Sequence, residues 1–269
     1  MRVIIGLLKH LFLIICSLFS VFPFYWMIVS STNMGIDVMR GRMLPGTHLI
    51  ENLIALANST YLRPALLNSL RNASVQTVCS LAVCSIAGYG FIIYRDKAKT
   101  MLMRFLLLSM MVPAATTIIP LFRLFSSVGL LDTLPGFVLP SISTAFLIFF
   151  FRQNSINFPQ EMIQAARVDG LNEFGIFIKI FIPIMKPSYA AATTIVFMGA
   201  WNAYLWPLIV LQSQENQTLP MLIASMMSRP VLDNAQLMLA VTLTTLPTLI
   251  LFSVLQRSFI EGVLGAVKA

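Results

Sequence analysis

The chain has 269 residues, of which 58% are hydrophobic and 10% charged, and its formal net charge is +8. A water-soluble domain carries roughly a quarter charged residues, so this composition excludes an ordinary soluble enzyme and points to lipid as the solvent. The basic excess is then a matter of membrane topology and not a surface for nucleic acid.

About twenty apolar residues carry one helix across a bilayer. Uncharged stretches of suitable length run 11–35, 72–94, 105–122, 133–151, 187–214 and 234–256. The predicted fold is therefore all-α, a polytopic membrane bundle of six transmembrane helices. Residues 1–10 are read as a cytoplasmic N-terminus, 11–33 as the first transmembrane helix and 34–66 as an external segment. Residues 67–258 form a five-helix core with a cytoplasmic loop at 158–183, and 259–269 form a cytoplasmic tail. The whole is expected to be a single membrane domain. Arg2 and Lys9 precede the first apolar run as in a secretory signal. That run is longer than a signal core and no small-x-small site closes it, so it is read as a retained helix.

In the external segment, the Pro45-Gly46 pair marks a turn, and residues 49–56 have helical apolar spacing. A cap over the bundle mouth and a docking surface are equal readings of that helix. The second span is rich in small and hydroxyl residues, among them Ser74, Ser80, Ser85, Gly88 and Gly90, and the fifth carries a comparable set from Ala190 to Ala200. Small residues let spanning helices approach closely. The alternative reading is a polar solute path using Ser85, Gly88, Thr194 and Asn202. A ten-residue basic turn is expected after the second span. The third span contains Pro113 and Pro120 and the fourth Pro135 and Pro140. Proline within a span is tolerated where neighbours satisfy the freed carbonyl, which favours a packed bundle.

Twelve Lys and Arg fall in the N-terminus, the second and fourth loops and the tail: Arg2, Lys9, Arg95, Lys97, Lys99, Arg104, Arg152, Arg167, Lys179, Lys186, Arg257 and Lys268. Arg40, Arg42, Arg63, Arg71, Arg123 and Arg229 fall elsewhere. The positive-inside rule places both termini in the cytoplasm. Cys16, Cys79 and Cys84 lie inside spans without Cys-x-x-Cys spacing or a nearby histidine, which supports neither a disulfide framework nor a metal site.

The loop from Phe158 to Pro183 is the most informative stretch. Pro159 suits a first helical position, Glu161 complements the dipole in the first turn, and Gly170 stops the helix. Residues 160–169 thus predict a short amphipathic helix carrying Met162, Ile163, Ala165, Ala166 and Val168 beside Glu161, Arg167 and Asp169. Such a helix lies on lipid or docks in a protein groove. Two adjacent alanines keep it thin, which suits a groove.

This stretch resembles the EAA motif of ABC importer permeases: Glu-Ala-Ala, three residues, Gly, nine residues, Ile-x-Leu-Pro. The chain supplies Gln164-Ala165-Ala166, Gly170 and Ile180-Phe181-Ile182-Pro183 at matching spacing. Gln164 stands for the motif's glutamate, losing a charge, and Ile182 for its leucine. Arg167-Val-Asp-Gly170, Trp201-Asn-x-Tyr-x-Trp206-Pro, Thr218-Leu-Pro and the tail from Gln256 to Lys268 look like the carbohydrate branch, the subunit similar to the second permease of maltose-type importers. The resemblance implies the type I importer fold in the bacterial inner membrane. It also implies a related second permease, two cytoplasmic ATPase subunits that bind ATP and Mg, and an external solute-binding protein. No cofactor or metal is expected on this chain. The coupling element is then Glu161, Gln164, Ala165, Ala166, Arg167, Asp169 and Gly170, joined to the fifth span through Ile180 and Pro183.

Other classes fit less well. An ion-coupled carrier places ionisable groups within spans, whereas all ten acidic residues here lie in loops or at span ends. An enzyme needs convergent catalytic groups, but His10 and His48 fall on opposite sides of the membrane. Gly41 and Gly46 have phosphate-loop separation, but Thr47 stands where the lysine is required. A pure scaffold role is disfavoured by the motif. Among solutes, a sugar or oligosaccharide ranks first and a glycerol phosphate second, because residues 43–52 look like segments of glycerol phosphate importers.

Overall fold

The computed structural model describes residues 2–59, 61–93, 96–156, 158–230 and 233–267, with side chains described from 6 to 257 apart from Ser59. Tyr94, Arg95 and Lys268, used above for span limits and charge counting, lie outside the described residues. In chain order the helices are α1 (Arg2–Ser31), α2 (Gly35–Met39), α3 (Leu49–Ser59), α4 (Leu62–Ile93), α5 (Lys97–Ser109), α6 (Ala114–Ser127), α7 (Leu134–Val138) and α8 (Ala145–Asn154). They continue as α9 (Gln160–Val168), α10 (Glu173–Ile176), α11 (Ile182–Ile184), α12 (Lys186–Trp201), α13 (Leu205–Val210), α14 (Leu219–Met227) and α15 (Asn234–Val267). No strand occurs among the described residues.

Three helices are each long and apolar enough to cross a membrane, over Gly6–Ser31, Leu62–Ile93 and Asn234–Arg257. Three bent pairs reach that length only when combined. Lys97–Ser109 with Ala114–Ser127 bends by 99°, Leu134–Ser141 with Ala145–Asn154 by 52°, and Glu173–Ile184 with Lys186–Trp201 by 82°. Counting each pair as one crossing gives six, the number expected. The prolines noted within the third and fourth spans thus accompany bends, and the third bent pair joins the end of the 158–183 loop to the fifth span. The first break follows Pro113, which ends the irregular Met110–Val112 stretch with ψ of 130°, outside helical values. The last follows from Pro187, which has no N–H to give the carbonyl of Pro183.

Two expectations change. The basic stretch after the second span is a helix and not a turn: Asp96 caps α5 by accepting from the Lys99 amide at 2.7 Å, and good helix formers follow. The fifth span stops at Trp201, where Asn202 closes α12 and turns its amide back to the Met198 carbonyl at 2.9 Å.

The chain divides into two compact units, residues 1–63 with 219–247 and residues 64–218 with 248–269. In the first unit, amides fasten the connection after α1. Asn52 donates to the carbonyls of Ser31 and Asn33, both at 2.9 Å, and Asn33 donates to those of Val29 and Leu44. Thr242 on α15 donates to the Met27 carbonyl of α1 at 3.3 Å. Asparagine amides suit this role because they satisfy two orphan carbonyls at once.

In the second unit, α4 packs on α8. A Cβ on Gly88 would lie 2.6 Å from the Phe151 Cβ and 3.1 Å from the Arg152 amide nitrogen. The glycine is therefore a contact point at which no side chain fits. Phe151, Leu147, Cys84, Ala191 and Ala192 form the surrounding core. Asp132 fastens the α6–α7 connection to the end of α13. Its backbone has a φ of 57°, its carboxylate accepts from the amides of Gln212 and Ser213, and its own amide donates to Val210 at 2.7 Å.

Candidate functional site

The loop singled out by sequence forms one compact element. Pro159 stands just before α9 with ψ of 102°, so it serves as the N-cap and not as the first helical residue. Glu161 occupies the first turn and Arg167 the last, each complementing the nearer end of the dipole. The helix ends in a Schellman arrangement: the Leu171 amide donates to Ala166 at 3.0 Å and the Gly170 amide to Arg167 at 3.1 Å. Gly170 has φ of +81°, a conformation that costs an ordinary residue about 1–2 kcal/mol.

The apolar residues of α9 divide between two faces. Ile163 and Ala166 are buried against Phe158, Tyr89, Phe177 and Phe181. Met162, Ala165 and Val168 recur every third residue on the outside, and Val168 is 88% exposed. Glu161, Gln164, Arg167 and Asp169 are exposed beside them. An exposed valine on a helix whose other face is already buried leaves an apolar stripe available to a protein partner.

Behind α9, Glu173 accepts from the Arg167 Nε at 2.7 Å and from the Tyr89 hydroxyl at 3.2 Å. Hydrogen bonding from Arg167 and Tyr89, against a smaller opposing effect of burial, holds the Glu173 carboxyl below the usual glutamate range. Tyr89 in turn stands edge-on to Phe177 and Phe181, at 5.4 and 4.9 Å between ring centres. Residues Phe177–Phe181 form a π-helical turn, a form frequent at functional sites. Ile180 borders this aromatic cluster, and Pro183 is exposed near the start of α11. Arg167, Glu173 and Tyr89 thus tie α9 to α4 and to the turn leading into α12. Sequence reading placed Arg167 in the element but missed Tyr89 and Glu173, which lie 84 residues apart.

The four residues proposed as a polar path lie on α4 (Ser85 and Gly88) and on α12 and its end (Thr194 and Asn202). Ser85 and Thr194 are buried and donate to carbonyls of their own helices, Ala82 at 3.3 Å and Ala190 at 2.9 Å. Gly88 is the α4–α8 contact, and Asn202 ends α12. None of the four borders the open cavity of about 270 Å³ between α4, α7, α8, α12 and α13. That cavity is lined by Gln76, Thr144, Phe146, Gly199 and Trp206, among others. Trp206 is held in place by its Nε1 donating to Gly136 at 3.1 Å and by Phe125 edge-on at 5.5 Å. Gln76 is 9% exposed, and among the described residues its amide makes no hydrogen bond. Its sequence signal was a lone glutamine in an apolar span. Among the described residues no group of His, Cys, Asp or Glu has metal-binding geometry.

Residues 80–265 match the family described as binding-protein-dependent transport system inner membrane component. The chain belongs to that family. It is a multi-pass inner-membrane permease subunit of a binding-protein-dependent ABC importer. The chain is 42% identical to the lactose transport system permease protein of Rhizobium radiobacter, over 97% of this chain and 96% of that one. It is 35% identical to the arabinooligosaccharides transport system permease protein of Bacillus subtilis strain 168, covering 96% and 94%. The sn-glycerol-3-phosphate transport system permease protein of Yersinia pestis is 31% identical, covering 96% of each chain. A crystal structure of a bacterial ABC transporter involved in the import of the acidic polysaccharide alginate superposes with a TM-score of 0.82 at 22% identity, covering 94% of this chain and 96% of that one. At that identity it speaks for the fold.

Proposed function

We propose that this permease imports a neutral sugar, a disaccharide or short oligosaccharide, and that α9 is the helix through which partner ATPase subunits drive it. The observation that carries the coupling role is the two-faced α9. One face is buried in its own aromatic cluster, and the other offers Met162, Ala165 and Val168 rimmed by Glu161, Gln164, Arg167 and Asp169. Gln164 keeps hydrogen-bonding capacity at the rim while contributing no charge. Ile180 and Pro183 link the seat to α12. ATP and Mg belong to the ATPase partners, and this chain serves transport without catalysis of its own. A related second permease and an external binding protein complete the assembly, and the Lys and Arg distribution supports a cytoplasmic position for both termini.

The sugar reading rests on the sugar-transporting names of the more similar relatives and on the chemistry of the 270 Å³ cavity. A fixed indole face, Phe146 and the Gln76 amide suit the apolar faces and hydroxyl rims of a sugar ring. A glycerol phosphate, favoured by the third relative, needs a cation to offset its charge, and no Lys or Arg lines this cavity. The test is uptake into proteoliposomes holding the full importer with its binding protein. Lactose, an arabino-oligosaccharide and glycerol phosphate are offered in turn. Sugar uptake that falls severalfold in Trp206→Ala with ATPase assembly intact supports the reading. Uptake of glycerol phosphate alone overturns the solute class and leaves the coupling role standing.

A further inference from the structure

A second cavity, of about 540 Å³, lies between the end of α4, the length of α5 and the end of α8, and has no part in either site above. Its volume is that of a small-molecule pocket. Lys99 and Arg104 of α5 and Arg152 of α8 line it, and Asp96 is the one carboxylate among the lining residues. That carboxylate is already engaged, capping α5 through the Lys99 amide and pairing with the Lys99 Nζ at 3.5 Å. Among the described residues no carboxylate lies within ion-pair distance of Arg104 or Arg152. The dipole at the C-terminal end of α8 offsets part of the Arg152 charge, and no such feature serves Arg104. The cavity thus holds an excess of positive charge against apolar walls that include Phe91 and Met103.

Beside it opens a narrow apolar groove of about 200 Å³ that shares Phe91 and Lys99 and runs over Ala87 and Gly90. The adjoining surface of α5 exposes Met101, Leu102, Phe105 and Leu108, which in a membrane subunit face lipid or another membrane helix. A cationic hollow continuous with an apolar groove, at the ends of spanning helices, matches a phospholipid in both charge and shape. We infer that this is a binding site for one anionic phospholipid, its phosphate held by Lys99, Arg104 and Arg152 and an acyl chain laid along the groove. The site depends neither on the solute nor on the role of α9.

The test uses the full importer in nanodiscs of phosphatidylcholine with phosphatidylglycerol as the minor lipid, and measures by native mass spectrometry which lipid remains bound. The wild type retains phosphatidylglycerol in preference to phosphatidylcholine. Near a membrane surface each cation contributes roughly fivefold, so Arg104→Gln with Arg152→Gln lowers retention about 25-fold. Paired Arg→Lys changes at the same positions keep most of it, and Arg123→Gln leaves it unchanged. If the double variant fails to assemble with the ATPase, the exposed Arg104→Gln alone carries the test with a loss of roughly fivefold. Equal retention of the two lipids, or retention unaffected by these changes, overturns the inference. Displacement of the lipid by inorganic phosphate also overturns it, by making this a site for free anions.

Discussion

Gly170 and Glu173 carry the finest-grained consequences. The space around a Cβ at Gly170 is open within 4 Å, so a substitution there meets no neighbour and its cost is purely that of a left-handed backbone. Gly170→Val should destabilise the end of α9 by about 1–2 kcal/mol and Gly170→Asn by less, since asparagine tolerates that conformation. Amide exchange across α9 measures both. Glu173 bridges Arg167 and Tyr89, and with both ion-pair side chains over two-fifths exposed solvent screening limits the pair to about 0.5 kcal/mol. Its carboxyl is held below the usual range, so the contribution is complete at neutral pH and is lost only as pH falls through the lowered value. Protection of α9 in wild type should therefore be flat from about pH 5 upward and drop in stronger acid, whereas Glu173→Gln shows the lower protection throughout. The helix, its stop and its dipole-matched charges were legible in sequence, because Pro, Gly and short-range spacing act locally. The bond from Tyr89 to Glu173 was not, because it joins residues on separate helices and has no local signature.

Among the elements, the breaks in the spans and the closeness of their packing matter most. Apolar length and absence of charge located six crossings, but not the bends of 52° to 99° in three of them. Proline positions hinted at interruptions, yet whether a proline kinks a helix or ends it depends on whether neighbours supply the missing bonds. The basic stretch after α4 was misread because charge near a membrane surface signals orientation, while the Asp96 cap decides the local structure. Gly88 was weighed both as packing and as a path residue, and its contact with Phe151 is steric. Gly88→Val should force α4 from α8 at about 1–3 kcal/mol, seen as lower yield and lower thermal stability of the purified complex. Asp132→Ala should loosen the tie between the α6–α7 connection and the α13 end at roughly 1–2 kcal/mol, since two backbone amides lose their acceptor. That loss is checked by proteolysis after residue 211.

At the scale of the whole molecule, the chain is a permease subunit that works together with the other subunits of an ABC importer. The proposed orientation predicts that single cysteines at Lys97 and Gln164, in a cysteine-free background, are labelled only from the cytoplasmic side, and one at Gly41 only from outside. Labelling in the reverse sense would invert the sites described above relative to the ATPase. The most direct test of the account is the solute-stimulated ATPase activity of the purified importer in lipid, with its binding protein, for wild type and Val168→Asp. Val168 is 88% exposed and adds little to its own subunit's core, so the change leaves the fold intact and places a charge on the outer face of α9. The account predicts that stimulation by the transported sugar falls tenfold or more, the effect of desolvating an unpaired charge in a docked groove at over 1.4 kcal/mol. Unchanged stimulation in an intact complex would contradict it, because α9 could not then be the helix that carries ATP-driven motion into the membrane.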